Sequence, residues 1–230
     1  CTTNWVKKTV PLLKRIIKFY MESHKKNLKI KNLGIQDYNK TWDSMLNKIL
    51  SRSEIDEDEV WILEHKPVYT LGFNASEDDI LNQEDIPIVR TDRGGKTTYH
   101  GPGQLMVYFL INLRRLKWGP KTFINELENI VIDLLNDYKI PCMRKKGLPG
   151  VYVEEDKIAS IGIKIKRGYS YHGLSLNVDM DLKPFNDIQI CGDKDMRVTQ
   201  ISEYQKLSLQ EVASDLAVKI NNRYSNVTQP

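Results

Sequence analysis

Three groups of residues have types and spacing that could do chemistry. The first is Arg93-Gly94-Gly95-Lys96-Thr97-Thr98-Tyr99-His100-Gly101-Pro102-Gly103-Gln104. Glycines at this density let a backbone approach a ligand closely and adopt φ > 0. The side chains between them form hydrogen bonds. Such a run is either a cradle for a bound group or a surface hairpin loop. The second is Lys157, at the start of Lys157-Ile158-Ala159-Ser160-Ile161-Gly162-Ile163-Lys164-Ile165. A period of two places Lys157 with Ala159, Ile161, Ile163 and Ile165, and Lys164 and Lys166 on the wetter face. A lysine at such a rim either snorkels to water or enters a pocket with a lowered pKa. Periodicity alone favours snorkelling. The third is Cys191, in Ile190-Cys191-Gly192, ending an irregular segment after Lys183-Pro184-Phe185. A loop thiol beside backbone N–H groups can have a lowered pKa, and those groups can hold an oxyanion. The alternative is a small buried hydrophobe, which suits Cys142 better.

A thiol needs a base or a cation to become a thiolate near neutral pH, and a desolvated lysine can serve. A Cys–Lys pair beside a glycine-rich loop suggests acyl transfer, in which a thiolate takes an acyl group and passes it to an amine. Of the four histidines, His24 lies in a basic leader and His100 in the glycine loop. His65 closes a strand, and His172 shares a strand face with Leu174, Leu176 and Val178. His65 and His172 read as satisfied core residues. The histidines lack metal-ligand spacing, so no metal is expected.

The elements that must position these groups follow from hydrophobic period. Residues 5–24, 36–51, 121–138 and 208–224 read as helices, the third with Pro120 at its first turn. Strands are expected at Leu28 to Leu33, ended by Gly34, at Val60 to His65, from Val68 to Gly72, at Ile86 to Val89, and from Leu105 to Leu113. Val151 to Val153, Ile158 to Ile165 and Tyr169 to Val178 read as three more. The acidic run Glu54 to Glu59 reads as a solvated turn, and Pro141 to Gly150 as a basic loop. Strands concentrated between flanking helices make an α/β (α+β) arrangement with a mixed central sheet.

The chain has 230 residues, 40% hydrophobic and 28% charged, which suits one large domain. No apolar run approaches the roughly 20 residues of a membrane span. A net charge of +4 is too mild for a dedicated nucleic-acid binder and suits an acidic protein partner. Three cysteines without paired spacing make no disulfide framework, so a reducing compartment is expected. Residues 1–31 hold nine lysines and arginines against Glu22 alone, a local +8 that leaves −4 for the remainder. With Cys1 in place of an initiator Met, this reads as the trimmed form of a precursor with an organelle transit segment; an amphipathic helix and a bacterial-type cytoplasm are the alternative.

The motifs together resemble the octanoyl-acyl-carrier-protein:protein transferases of lipoate biosynthesis, the LipB family. The glycine loop is similar to the family's signature, and Glu64 to Gly72 to its upstream segment. Pro149 to Val153, Lys157 to Gly162 and His172 to Leu182 resemble its central block, and Cys191-Gly192 its cysteine motif. The resemblance covers roughly residues 30–224. It implies a biotin/lipoate protein ligase-like fold over 29–230, with 1–28 a basic extension. It implies an octanoyl thioester on Cys191, with Lys157 lowering the thiol pKa and acting as base. Arg93, Gly94, Gly95, Lys96, Thr97, Thr98, Tyr99 and His100 would line the acyl pocket with Ser160, Ile161, Gly162, Gly173, Leu174 and Ser175. The donor would be acyl carrier protein. The acceptor would be a lysine on a lipoyl domain of a 2-oxoacid dehydrogenase or on the glycine-cleavage H protein. Lys145, Lys146, Lys164, Lys166 and Arg167 offer a surface complementary to such acidic partners. No cofactor and no ATP are expected, and the enzyme would be a monomer. Two departures stand out: Ile190 where the family usually has proline, and Tyr169 where a cysteine is common. An ATP-dependent ligase of the same fold is the runner-up, although Arg90 to Gly95 lacks the third glycine of the ligase loop. A catalytically silent acyl-carrier-binding protein is the third reading.

Overall fold

The computed structural model describes residues 28–82, 85–190 and 196–227. The helix expected over 5–24 and Cys191 itself lie outside the described residues. The elements are β1 (Leu28–Gln36), α1 (Tyr38–Ser51), β2 (Asp58–His65), β3 (Val68–Leu71), β4 (Ile88–Arg90), β5 (Thr97–His100) and β6 (Gln104–Leu110). Then come α2 (Leu113–Leu116), α3 (Pro120–Asp137), β7 (Met143–Lys145), β8 (Leu148–Val153), β9 (Asp156–Lys166), β10 (Tyr169–Asn177) and α4 (Leu209–Val227).

Seven strands form one sheet in the order β1-β2-β6-β10-β9-β8-β7, and three form a small sheet, β4-β3-β5. In the large sheet β1 and β2 run parallel and the other pairs antiparallel. The central strand β6 is buried on both faces, and its alternation sorts the core. Leu105, Val107 and Phe109 pack with Phe123, Leu127 and Val131 of α3 and Val212, Leu216 and Ile220 of α4. Met106, Tyr108 and Leu110 pack on the other face with Met45 and Ile49 of α1. Helix α1 starts where Asp37 accepts a hydrogen bond from Lys40 N, as an N-cap should. The helices thus cover both faces of a mixed sheet, and the small sheet is a second platform facing α1's side of it.

Three local readings of the sequence change. Strand β1 does not end at Gly34: an extra residue there, with Gly34 at φ 63, makes a bulge, and pairing resumes through Gln36↔His65. The span Pro141–Gly150 is no loop, since β7 and β8 form a hairpin turned at Gly147, φ 81. The acidic run is not all solvated, because Asp58 and Glu59 are buried and begin β2.

A buried carboxylate persists only when its charge is matched. Asp58 receives Arg52 Nη2 at 2.5 Å, Arg115 Nη2 at 2.7 Å, Asn112 N at 2.9 Å and the Tyr224 hydroxyl at 2.5 Å. The Arg52 side chain is wholly buried and also caps Leu110 O at 2.5 Å. This cluster ties the starts of β2 and α2 to the last turn of the C-terminal helix α4. At the opposite end of β2, His65 donates from Nδ1 to Gln36 O at 3.0 Å and accepts at Nε2 from the Tyr108 hydroxyl at 2.7 Å. Burial pushes its pKa down to about 4, against the weaker pull of the Gln36 hydrogen bond.

Two stability measurements follow. Asp58→Ala leaves Arg52 buried and unpaired, and should cost about 3–5 kcal/mol. Tyr224→Phe removes one hydrogen bond to a charge and should cost about 1.5–3 kcal/mol. Urea unfolding with unchanged slope reads both, and a loss under about 1 kcal/mol for Asp58→Ala would contradict the matched-charge account. His65 binds its proton more weakly folded than unfolded. Its contribution is therefore complete above pH 6.5 and is lost as pH falls towards 4. That single group accounts for about 3 kcal/mol of acid sensitivity, so His65→Gln should flatten the stability profile between those pH values.

Candidate active site

Lys157 is where period-two reading fails. Val151 pairs with Ala159, but the next residue, Tyr152, pairs with Lys157, so Ile158 is an extra residue in β9. The bulge reverses the phase of everything before it. Lys157 therefore shares a face with Tyr152 and not with Ala159 or Ile161. It does not snorkel: it is 2% exposed and lies against the Tyr152 ring, Nζ 5.4 Å from the centroid. Its chain runs past Gly150, where a Cβ would lie 2.7 Å from Lys157 Cε and 3.4 Å from Nζ. Only glycine fits beside it. Gly150 N is held by Glu128 Oε1 from α3 at 3.0 Å.

The glycine loop is fixed by Arg93. Its guanidinium is buried and donates to Thr70 O at 2.7 Å and Thr70 Oγ1 at 2.8 Å, across to the small sheet. Gly94 N then donates to Ile163 O at 3.0 Å, docking the loop on β9. Gly72 must be glycine here, since a Cβ would meet Gly95 O at 2.4 Å and Arg93 Nη1 at 2.7 Å.

His100 sits in β5 with both nitrogens used: Nε2 faces Thr70 Oγ1 at 3.3 Å and Nδ1 faces Gln104 Oε1 at 2.7 Å. Burial first, then the His65 and Arg93 charges, hold its pKa well below the ordinary value. Gln104 Nε2 donates to Asn177 Oδ1 at 2.9 Å, and Asn177 Nδ2 to Thr199 O at 2.9 Å. Thr199 N donates to Lys157 O at 3.1 Å, while Lys157 N donates to Arg197 O at 2.9 Å.

His172 also departs from its expected face. It has φ 59, a left-handed conformation that histidine tolerates better than most residues. That turns its ring away from Leu174 and Leu176 to Tyr108, Tyr171 and Trp42. Nε2 donates to Asp92 Oδ1 at 3.0 Å, and Asp92 Oδ2 takes the Tyr171 hydroxyl. Burial works to raise the Asp92 pKa, but the hydrogen bonds from His172 and Tyr171 bring it down to about 2. Burial lowers the His172 pKa, outweighing Asp92. It is not a fully satisfied core residue, since Nδ1 is buried without a partner among the described residues.

These groups line a cavity of about 360 Å³ between the glycine loop with β5 and the β6-β10-β9 face of the large sheet. That volume lies in the small-molecule range. Arg93, Gly94, Gly95, Lys96, Thr97, Thr98 and His100 line one side, and Lys157, Ser160, Ile161, Gly162, Gly173, Leu174 and Ser175 the other. Tyr99 points away, into an apolar cluster with Tyr69 and Phe185. Ile190, the residue before Cys191, is on the wall. Tyr38, Met106, Tyr108, His172, Pro120 and Ile124 also line it without having been singled out as pocket residues. Met106 and Tyr108 were hidden in an ordinary apolar run, and His172 by its left-handed turn. Among the described residues no group of three or more His, Cys, Asp or Glu could hold a metal ion, and no helix is long and apolar enough to cross a membrane.

Comparison with known proteins matches this frame. Residues 37–221 fit the family described as the lipoyl protein ligase A/B catalytic domain. The chain is 49% identical over 176 residues to an octanoyltransferase from Vesicomyosocius okutanii, covering 76% of this chain and 86% of that one. A putative lipoate protein ligase from T. acidophilum superposes with a TM-score of 0.69 at 14% identity, over 85% of this chain and 84% of that one. A biotin protein ligase from Aquifex aeolicus gives 0.51 at 14% identity, over 88% and 71%. The two ligases share the fold, while the octanoyltransferase shares nearly half its residues over most of both chains. The chain therefore belongs to the lipoyl protein ligase A/B catalytic-domain family and, within it, to the octanoyltransferases.

Proposed function

We propose that this acyltransferase carries the octanoyl group on Cys191, with Lys157 as the base. The Cys191 thiolate attacks the thioester carbonyl of octanoyl-acyl carrier protein. The carrier's phosphopantetheine thiolate leaves and regains the proton that Lys157 took from Cys191. In the second half the amine of a lipoyl-domain lysine attacks the enzyme thioester, its proton passes to Lys157, and the Cys191 thiolate leaves. The observation that carries this reading is the burial of Lys157 on the wall of an acyl-sized cavity. Both flanks of the segment 191–195 meet that site. Ile190 lines the cavity, and Arg197 and Thr199 hold the Lys157 backbone on both sides.

Both partners are recognised through charge. Lys146, Lys166 and Arg167 are exposed around the hairpin turns of β7-β8 and β9-β10, and Lys164 lies over the exposed Phe73 ring at 5.2 Å. This basic rim suits an acidic carrier protein and an acidic lipoyl domain of a 2-oxoacid dehydrogenase or the H protein. The enzyme acts as a monomer with a catalytic domain over 29–230. The basic composition of residues 1–31 suits an organelle address, while the Vesicomyosocius okutanii relative is bacterial.

Intact-protein mass spectrometry tests the chemistry. Mixed with octanoyl-carrier protein and no ATP, the full chain should gain one hydroxylamine-labile octanoyl group, and Cys191→Ser should gain none. Lys157→Ala should acylate about 10²–10⁴-fold more slowly. An unmodified wild-type enzyme that instead needs ATP and free octanoate to acylate a lipoyl domain would replace this mechanism with a ligase.

A further inference from the structure

Three buried histidines face α1's side of the large sheet, and only one has a nitrogen to spare. His65 and His100 have both ring nitrogens paired. His172, 1% exposed, spends Nε2 on Asp92. An ionised carboxylate only accepts, so Nε2 carries the proton and Nδ1 is a bare lone pair. It has no partner among the described residues, and the residue lines the cavity. Thr98 Oγ1, on the facing wall, is also buried and unpaired. Unpaired buried acceptors are rare, and His172 combines one with a left-handed backbone inside a strand. Such outliers gather where a ligand is held.

The strand register gives the position. The Lys157 ammonium lies beside Gly150, which pairs with Ser160, and His172 pairs with Ile163. The two levels are three residues apart along β9, about 10 Å. A seven-bond octanoyl chain, extended like a backbone of three bonds per residue, spans about 8 Å. An acyl group whose carbonyl is at Lys157 therefore ends near His172.

We propose that His172 Nδ1 is the acceptor of a polar subsite at the distal end of the cavity, taking eight-carbon acyl chains that carry a hydroxyl on the terminal carbon as well as the unsubstituted octanoyl group. The chain's terminal O–H donates to Nδ1, and its oxygen comes within the reach of the Thr98 side of the cavity. This rests on the octanoyl reading above.

The test offers octanoyl-, nonanoyl- and 8-hydroxyoctanoyl-carrier protein to the full-length enzyme with a lipoyl domain as acceptor. Nonanoyl and 8-hydroxyoctanoyl are near isosteres that differ in the terminal methyl or hydroxyl. A purely apolar pocket prefers the methyl. The wild type should prefer 8-hydroxyoctanoyl in kcat/KM by roughly ten-fold. His172→Phe, which keeps a ring on that wall but has no lone pair to accept with, should bring that ratio to one or below. A wild-type preference for nonanoyl, or parity, overturns the subsite, as does a His172→Phe ratio equal to wild type. The octanoyl arm separates the failures: without octanoyl transfer the parent reading falls and takes this one with it.

Discussion

A directed run of hydrogen bonds couples the glycine loop to the strand that carries Lys157, and the cavity between them depends on it. Arg93 donates to Thr70, Thr70 to His100, His100 to Gln104, Gln104 to Asn177, Asn177 to Thr199 O, and Thr199 N to Lys157 O. Every polar group has a single sense in this run, because a neutral imidazole has one donor and one acceptor. A charged His100 would turn a second N–H on Thr70, which already receives the Arg93 guanidinium, and would add a cation beside it. Burial prevents that by holding His100 neutral. Deep polar networks are worth their desolvation only when complete, and this one crosses from the small sheet to the large one without a gap. The spacing of His100 and Gln104 has its reason here: Gly101 to Gly103 turn the chain so that residues four apart face each other.

Much of the frame is legible from hydrophobic period, because β6, β9, β10 and the long helices obey it. The places where period misleads are the ones that build the site. Lys157 belongs to the apolar face by counting, and one bulge at Ile158 moves it into the cavity. His172 belongs with Leu174 by counting, and a left-handed backbone turns it the other way. Neither device has a signature in single-sequence alternation, since both consist of breaking it. Bulges and positive φ cost pairing and conformational energy, so sequences keep them where a side chain must be aimed. Gly150 could have hinted at the first, because a glycine inside a strand pattern marks close backbone approach.

Charge was less legible than apolarity. Asp58 stands in an acidic stretch in which Glu54 and Glu57 face solvent, and its partners Arg52, Arg115 and Tyr224 are spread over 172 residues. No local pattern announces a carboxylate that waits for two distant guanidinium groups. The same holds for Glu59, whose burial would raise its pKa but whose bonds from Lys31, Lys48 and Trp61 take it to about 2. In the small sheet β3 and β4 fall where strands are expected, while β5 lies hidden in the glycine loop. It is four residues long, too short for a period to emerge.

Ile190 bears on how an isoleucine can serve at a position where proline is expected. Proline fixes a loop by locking φ and restricting its predecessor. Isoleucine supplies neither. Its side chain is instead buried to 3% exposure, packed in the apolar cluster of Tyr69, Tyr99, Phe185 and Ile188. Burying such a side chain is worth about 1.5–3 kcal/mol, comparable with the entropy of holding one or two backbone residues in place. Tyr99 is then part of the same constraint: by turning out of the cavity, it builds the apolar cluster on which Ile190 rests. Packing at this position anchors the chain immediately before Cys191, as the dihedral lock of proline would, so the two residues reach one mechanical end by different physical means.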